Sequence, residues 1–190
     1  MLTYLLSSRL REIDPHGWEC LPSIAASLNN LGLVAQMQDD YRAARTLQEE
    51  SLALFREVGD KGGLAYSLFN LGQVAYAQDE YATAHDLHRE SLALFRELGQ
   101  QQGIAGSLEA FAALASVQEQ TERAARLWGT AEALREEIGA PLQPRERKKH
   151  DREIAQARAD LSEDGFNAAW SEGRAMTLEQ AIAYALEEAA

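Results

Sequence analysis

Two histidines in "HDLH", His85 and His88, offer the most obvious chemistry: three apart, they could share a helix face as metal ligands do. No third ligand is indicated, and the residues 40 positions earlier are Arg45 and Gln48. The pair therefore reads as surface histidines at positions open to polar variation. "RERKKH", residues 145–150, could hold a phosphate or an acidic partner, but Asp151 and Glu153 beside it suit a solvated helix face. There is no Ser-His-Asp order, nucleophile elbow or converging acid pair, because the many Glu residues follow helix-surface spacing. Trp128 and Trp170, among apolar neighbours, read as core. No glycine-rich phosphate loop ending in Lys-Ser or Lys-Thr occurs either. The chain is read as non-enzymatic, with no metal and no cofactor, so its function is to be sought in a surface.

Composition narrows the partners of that surface. A formal charge of −12 over 190 residues repels duplex DNA and anionic membranes, so neither is expected as a direct partner. The single cysteine, Cys20, can form no internal disulfide and asks for no oxidising compartment. The longest wholly apolar runs, such as Phe111–Ala115, are far below a bilayer span, and "MLTYLLSSRLRE" lacks the features of a signal peptide. A soluble, cytoplasmic protein is expected.

The elements that present the surface are announced by repetition. "SLALFRE" stands at Ser51–Glu57 and again at Ser91–Glu97, and laying residues 27–66 over 67–106 without a gap matches 23 of 40 positions. Fixed-period similarity of this kind marks a stacked array. A more divergent third copy starts at Ser107, with Phe111, Ala112, Ala124, Leu127 and Gly139 in the corresponding places. Within a unit, Ile24, Leu28, Leu31 and Ala35 fall on one helical face, and Tyr41, Ala44, Leu47, Ser51 and Leu54 describe a second helix. Asp residues in "QMQDDY" and "AQDEY" suit the turn between them, and Gly59, Gly99 and Gly139 suit the second helix's end. Gly32 and Gly72, with Ala44 and Ala84, let the two helix axes approach closely.

Leu31-Gly32, Leu71-Gly72, Tyr41/Ala44 and Tyr81/Ala84 on such hairpins resemble the tetratricopeptide repeat family. The resemblance implies an all-α, right-handed α-solenoid of helical hairpins. The period is 40 rather than the usual 34, and "SLALFRE" supplies the extra length of the second helix. Asp39, Asp79 and Glu119 stand where the family has glycine in the turn, and Tyr41 becomes Thr121 in the third copy, so that hairpin is expected to be the least regular. Three repeats are placed at 22–61, 62–101 and 102–140, within 22–140, and a helical cap at 141–190. In the cap, Ile154, Ala157 and Leu161 form a narrow stripe, Phe166 and Trp170 pair at i, i+4, and Thr177–Gln180 reads as a capping box. Residues 1–21 read as a partial preceding helix and a loop. An array cannot leave its first apolar face in water, so either residues 1–12 cover that face, leaving self-association possible at the array start, or the chain is part of something longer.

"RAARLWGTAEALREEIGAP" and "FNAAWSEGRAMTLEQAIAYAL" resemble the carboxyl-terminal ends of bacterial LuxR-type regulators and related signal-transduction ATPases. That resemblance implies an interaction module, a sensor or scaffold in transcription regulation or signal transduction. Its partner would be a protein or peptide segment, or another domain of the same regulator; the alternative is a small-molecule effector domain. By the repeat resemblance the concave face is lined by first-helix residues: Asn29, Asn30, Leu33, Gln36, Met37, Tyr66, Phe69, Asn70, Gln73, Tyr76 and Glu109. Asn30 and Asn70 recur one unit apart. Their amides could serve a peptide backbone or tie neighbouring helices together.

Overall fold

Helix termini set the architecture, and the residues that make them recur with the repeat. The computed structural model describes residues 20–187 and contains helices and no strand among them. Three hairpins come first: α1 (Leu21–Met37) with α2 (Tyr41–Val58), α3 (Lys61–Ala77) with α4 (Tyr81–Glu97), and α5 (Gln101–Val117) with α6 (Thr121–Glu137). They are followed by α7 (Pro144–Asp160), α8 (Glu163–Arg174) and α9 (Leu178–Leu186). The fold class is the expected one, all-α and built of consecutive helical hairpins. The chain divides into two compact units between Leu94 and Phe95, inside α4. The expected partial helix at residues 1–12 lies outside the described residues.

Each hairpin turns through one residue in the left-handed region: Asp39 (φ 60°), Asp79 (φ 61°) and Glu119 (φ 61°). The next amide closes the turn, Asp40 N to Ala35 O at 3.0 Å, Glu80 N to Ala75 O at 2.9 Å and Gln120 N to Ala115 O at 2.9 Å. The third turn is therefore as regular as the others, contrary to expectation. What it lacks is the tie in which Tyr41 and Tyr81 donate to the carboxylates of Asp39 and Asp79 at 3.0 and 2.7 Å. That tie explains the paired Asp and Tyr of the first two copies, and the closing backbone bonds hold the turn without it. Asp40 and Asp60 cap α2 and α3 by accepting from the amides of Ala43 and Gly63. Gly59, Gly99 and Gly139, with φ of 73°, 65° and 64°, follow α2, α4 and α6 as the sequence predicts.

Inside a hairpin the helices touch at small residues. A methyl group on Gly32 would lie 2.6 Å from Gln48 Nε2, and one on Gly72 would lie 2.6 Å from His88 Cε1. One turn along, Ser51 Oγ donates to Ala25 O (2.8 Å) and Ser91 Oγ to Ala65 O (2.9 Å), so the first residue of each "SLALFRE" bolts its helix to the carbonyl edge of its partner. Leu54 and Phe55 join Leu21 and Ala25 in the core, and the Phe55 ring lies over Gly63.

The buried face of α1 differs from expectation. Ala25, Gly32 and Ala35 are buried, Leu28 is half-buried, and Ile24 and Leu31 are exposed. The reason is close packing: small residues face α2, which turns Ile24 and Leu31 to the opposite flank. In α3 that flank rests on the preceding hairpin, where Val74 packs on Ala35 and Ala44 and Leu64 packs beside Leu54 and Phe55.

In the second unit α8 lies against α6 with almost no room. A methyl at Gly129 would overlap the carbonyl of Trp170, and one at Gly173 the carbonyl of Arg126. Thr130 Oγ1 donates to Gly173 O at 2.7 Å, Arg126 pairs with Glu172 at 2.7 Å, and Arg174 reaches Glu132 and Glu136 at 2.6 Å each. Ala157 of α7 is buried between half-buried Ile154 and Leu161, the Phe166 and Trp170 rings lie 5.4 Å apart, and Thr177 and Gln180 form the expected capping box of α9. Trp128 is fully buried and Trp170 half-buried.

Because the atom opposing it is backbone, Gly173→Ala is expected to cost about 1–3 kcal/mol. Gly32→Ala meets only a movable amide and gains about 1 kcal/mol of helix propensity, so it should change stability less. Urea unfolding of the two variants checks the order.

Candidate functional site

Ten of the eleven residues expected to line a groove lie on α1 and α3, in the first unit. One hydrogen bond sets the relation of these helices: Asn70 Nδ2 donates to Asn29 Oδ1 at 3.0 Å. Asn29 is itself located by Gln48, whose Nε2 donates to the Asn29 carbonyl at 3.0 Å. Asn70 is buried. It is thus a helix-tying residue rather than a free amide, while Asn30, its copy in α1, is exposed.

Around this tie the surface is mixed. Met37 and Tyr66 are exposed, and Leu33, Gln36, Gln73 and Tyr76 are partly so. Phe69 is half-buried because its ring packs 5.3 Å from that of His88, and Tyr76 lies 5.7 Å from Tyr81 on the neighbouring helix. Glu109 belongs to α5 in the second unit, where Arg135 Nη2 donates to its carboxylate at 2.8 Å. That carboxylate is held in an internal ion pair.

The histidine readings also change. His88 is 1% exposed, held between Gly72 and Phe69, and is a core residue rather than a surface one. Its copies are Gln48 and Trp128, both buried, so the position selects a large side chain opposite a small one, Gly32, Gly72 or Ala112. Extending the repeat register into the third copy would have found this. Among the described residues no group of three His, Cys, Asp or Glu is placed to hold a metal ion.

His150, the last residue of the basic run, is half-buried with its ring 6.0 Å from Trp128 in a T-shaped contact. Burial holds its pKa below the usual histidine value; the carboxylates of Glu109, Asp151 and Glu132 work against that shift, and Arg135 adds to it. This cluster escaped the sequence reading because the residues come from three helices.

Also in the second unit, a recess of about 580 Å³ is bordered by Arg123, Arg126, Asp160 and Tyr184. Its cations serve the fold: Arg123 donates to the carbonyls of Tyr184 (2.8 Å) and Glu187 (2.7 Å), and Arg126 to Glu172.

Residues 23–97 match the family model described as tetratricopeptide repeat. The first two hairpins, α1–α4, are thus similar to tetratricopeptide repeats, which are generally protein-interaction modules. No curated protein sequence matches the chain. No helix among the described residues is long and apolar enough to cross a membrane.

Two outcomes are expected. Asn70→Ala should destabilise the first unit by about 1 kcal/mol, the usual worth of a hydrogen bond, while Asn30→Ala leaves the melting temperature almost unchanged; thermal melts of both decide. For His150, the unfolded chain takes up a proton before the folded one as pH falls. Stability is therefore whole above about pH 6.5 and declines below it towards the depressed folded-state pKa. Melts of His150→Gln should lose less than the parent between about pH 7.5 and about pH 5.5.

Proposed function

We propose that the α1–α3 face of the first unit binds an extended peptide segment of a partner protein. The observation that carries this is the joining of α1 and α3 by the partly buried Asn29–Asn70 bond. Beside that tie the two helices present an exposed amide (Asn30), partly exposed amides (Gln36, Gln73) and apolar area (Leu33, Met37, Tyr66). Amides serve the donors and acceptors of a peptide backbone, and the apolar residues serve its side chains. None of the eleven groove positions is Lys or Arg, so a mixed apolar and amide segment suits them better than a carboxylate clamp. The module is proposed as the non-enzymatic sensor or scaffold part of a cytoplasmic bacterial regulator. The support for that setting is the likeness of "RAARLWGTAEALREEIGAP" and "FNAAWSEGRAMTLEQAIAYAL" to the carboxyl-terminal ends of such proteins.

Pull-down from cell extract followed by mass spectrometry of bound proteins and metabolites tests the reading. Tyr66→Ala should weaken the captured protein partner by about 1–3 kcal/mol, as removal of an aromatic anchor does, with the melting temperature unchanged. Partners that bind Tyr66→Ala and Asn30→Ala as tightly as the parent would sink the proposal. A metabolite in place of a protein would favour an effector-binding domain.

A further inference from the structure

The hydroxyl that bridges α6 to α8 has more acceptors than protons. Thr130 Oγ1 lies 2.7 Å from Gly173 O, 3.0 Å from Arg126 O in its own helix and 3.9 Å from Met176 Sδ, and it has one hydrogen to give. Gly173 O, across the helix interface, is the nearest of the three, and the thioether sulfur is the weakest acceptor. Thr130 is 4% exposed, so its proton is divided among these groups rather than shared with solvent.

Met176 stands at the edge of this arrangement. It lies in the link between α8 and α9 and is half-buried, so its sulfur touches Thr130 while part of the side chain remains at the surface. Hydrogen peroxide reaching that sulfur converts it to a sulfoxide. A sulfur lone pair attacks one peroxide oxygen, the S–O bond forms as the O–O bond breaks, and the departing oxygen takes up the proton of the transferred one and leaves as water. Sulfur loses two electrons and the peroxide gains them. The ranking of acceptors then changes, because a sulfoxide oxygen is a strongly polar acceptor placed in the 3.9 Å gap between Sδ and Thr130 Oγ1.

We propose that Met176 is a peroxide-sensitive modification site whose sulfoxide takes the Thr130 proton from Gly173 O and so loosens α8 from α6. The loosening is local. Gly173 O keeps the Met176 amide as a donor at 3.1 Å, so no buried carbonyl is left unpaired. The ion pairs of Arg126 and Arg174 and the buried Phe166 stay in place. What is lost is the bond that fixes how α8 sits along α6. The site belongs to the second unit, and the inference is independent of peptide binding by the first.

Treatment of the full chain with hydrogen peroxide is the test, with Met176→Leu as control because it retains Met1 and Met37 and loses only this sulfur. Peptide mapping by mass spectrometry should find the sulfoxide at Met176 as well as at Met37, which is 59% exposed. Met176 left as a thioether when Met37 is fully converted would overturn the proposal. Hydrogen exchange of the α8 amides should quicken about fivefold on oxidation of the parent, the effect of one lost hydrogen bond, and stay unchanged in Met176→Leu. No quickening in the parent, or the same quickening in the control, would overturn it. Thr130→Ser, which keeps the proton, should respond as the parent does, whereas Thr130→Val should exchange fast from the outset and quicken no further. A Thr130→Val chain that responds to peroxide as strongly as the parent would overturn the part given to the hydroxyl, and with it the proposal. Methionine sulfoxide reductases for both epimers should restore the parent's first rate. Exchange that stays fast once the thioether is regenerated would count equally against the proposal.

Discussion

Close approach of two helices inside a hairpin is the constraint on which the rest depends. Where Gly32 meets Gln48 and Gly72 meets His88, the first helix contributes no side chain, and the large side chain of the second lies directly on its backbone. Such proximity brings Ser51 and Ser91 within hydrogen-bonding distance of the carbonyls of Ala25 and Ala65. A serine bonded to a helical carbonyl fixes rotation and axial register together, whereas apolar contact alone would allow sliding. It also satisfies a hydroxyl that would be costly to bury unpaired. From that register follow the burial of Leu54 and Phe55 and the orientation of everything on the opposite side of the first helix.

The second unit solves its own packing by the same means with different partners. Gly129 and Gly173 bring α6 and α8 to backbone contact, and Thr130 takes the part of the bridging hydroxyl by donating to Gly173 O. Around this dry contact runs a rim of ion pairs, Arg126 with Glu172 and Arg174 with Glu132 and Glu136. Exposed pairs of this kind add little stability singly, so the glycine contact and the buried Trp128 and Phe166 carry the larger share. Charge is used here to orient, since each arginine selects one alignment of α8.

A consequence for binding is that polar residues of the same type divide into different tasks. Asn29 and Asn70 satisfy one another and hold α1 to α3, leaving Asn30 as the exposed amide of the three. Phe69 leans on the buried His88 ring, which removes part of it from the proposed ligand face. Whatever segment is bound would meet a surface whose spacing is set from below by hydrogen bonds it does not touch. Preorganisation of that sort lowers the ordering cost of association.

The sequence by itself determined the hairpins, their turns and their ends, because these follow from local rules and from a repeat that can be read without knowing contacts. Glycine at 59, 99 and 139, Asp at 39 and 79, and the Thr177–Gln180 box each act within a few residues of chain. Which side of a first helix is buried was decided only by tertiary structure. Ile24, Leu28, Leu31 and Ala35 make a plausible stripe on their own, yet the small residues Ala25, Gly32 and Ala35 win the interior because only they permit the close approach. The same holds for the candidate site: its helices were legible from periodicity and Asn70 was open between a tie and a ligand amide, but the choice of the tie, the Glu109 ion pair and the burial of His88 were not. Each depends on a partner residue 16 to 41 positions away, Gly72, Arg135 or Asn29, and no local pattern encodes that distance.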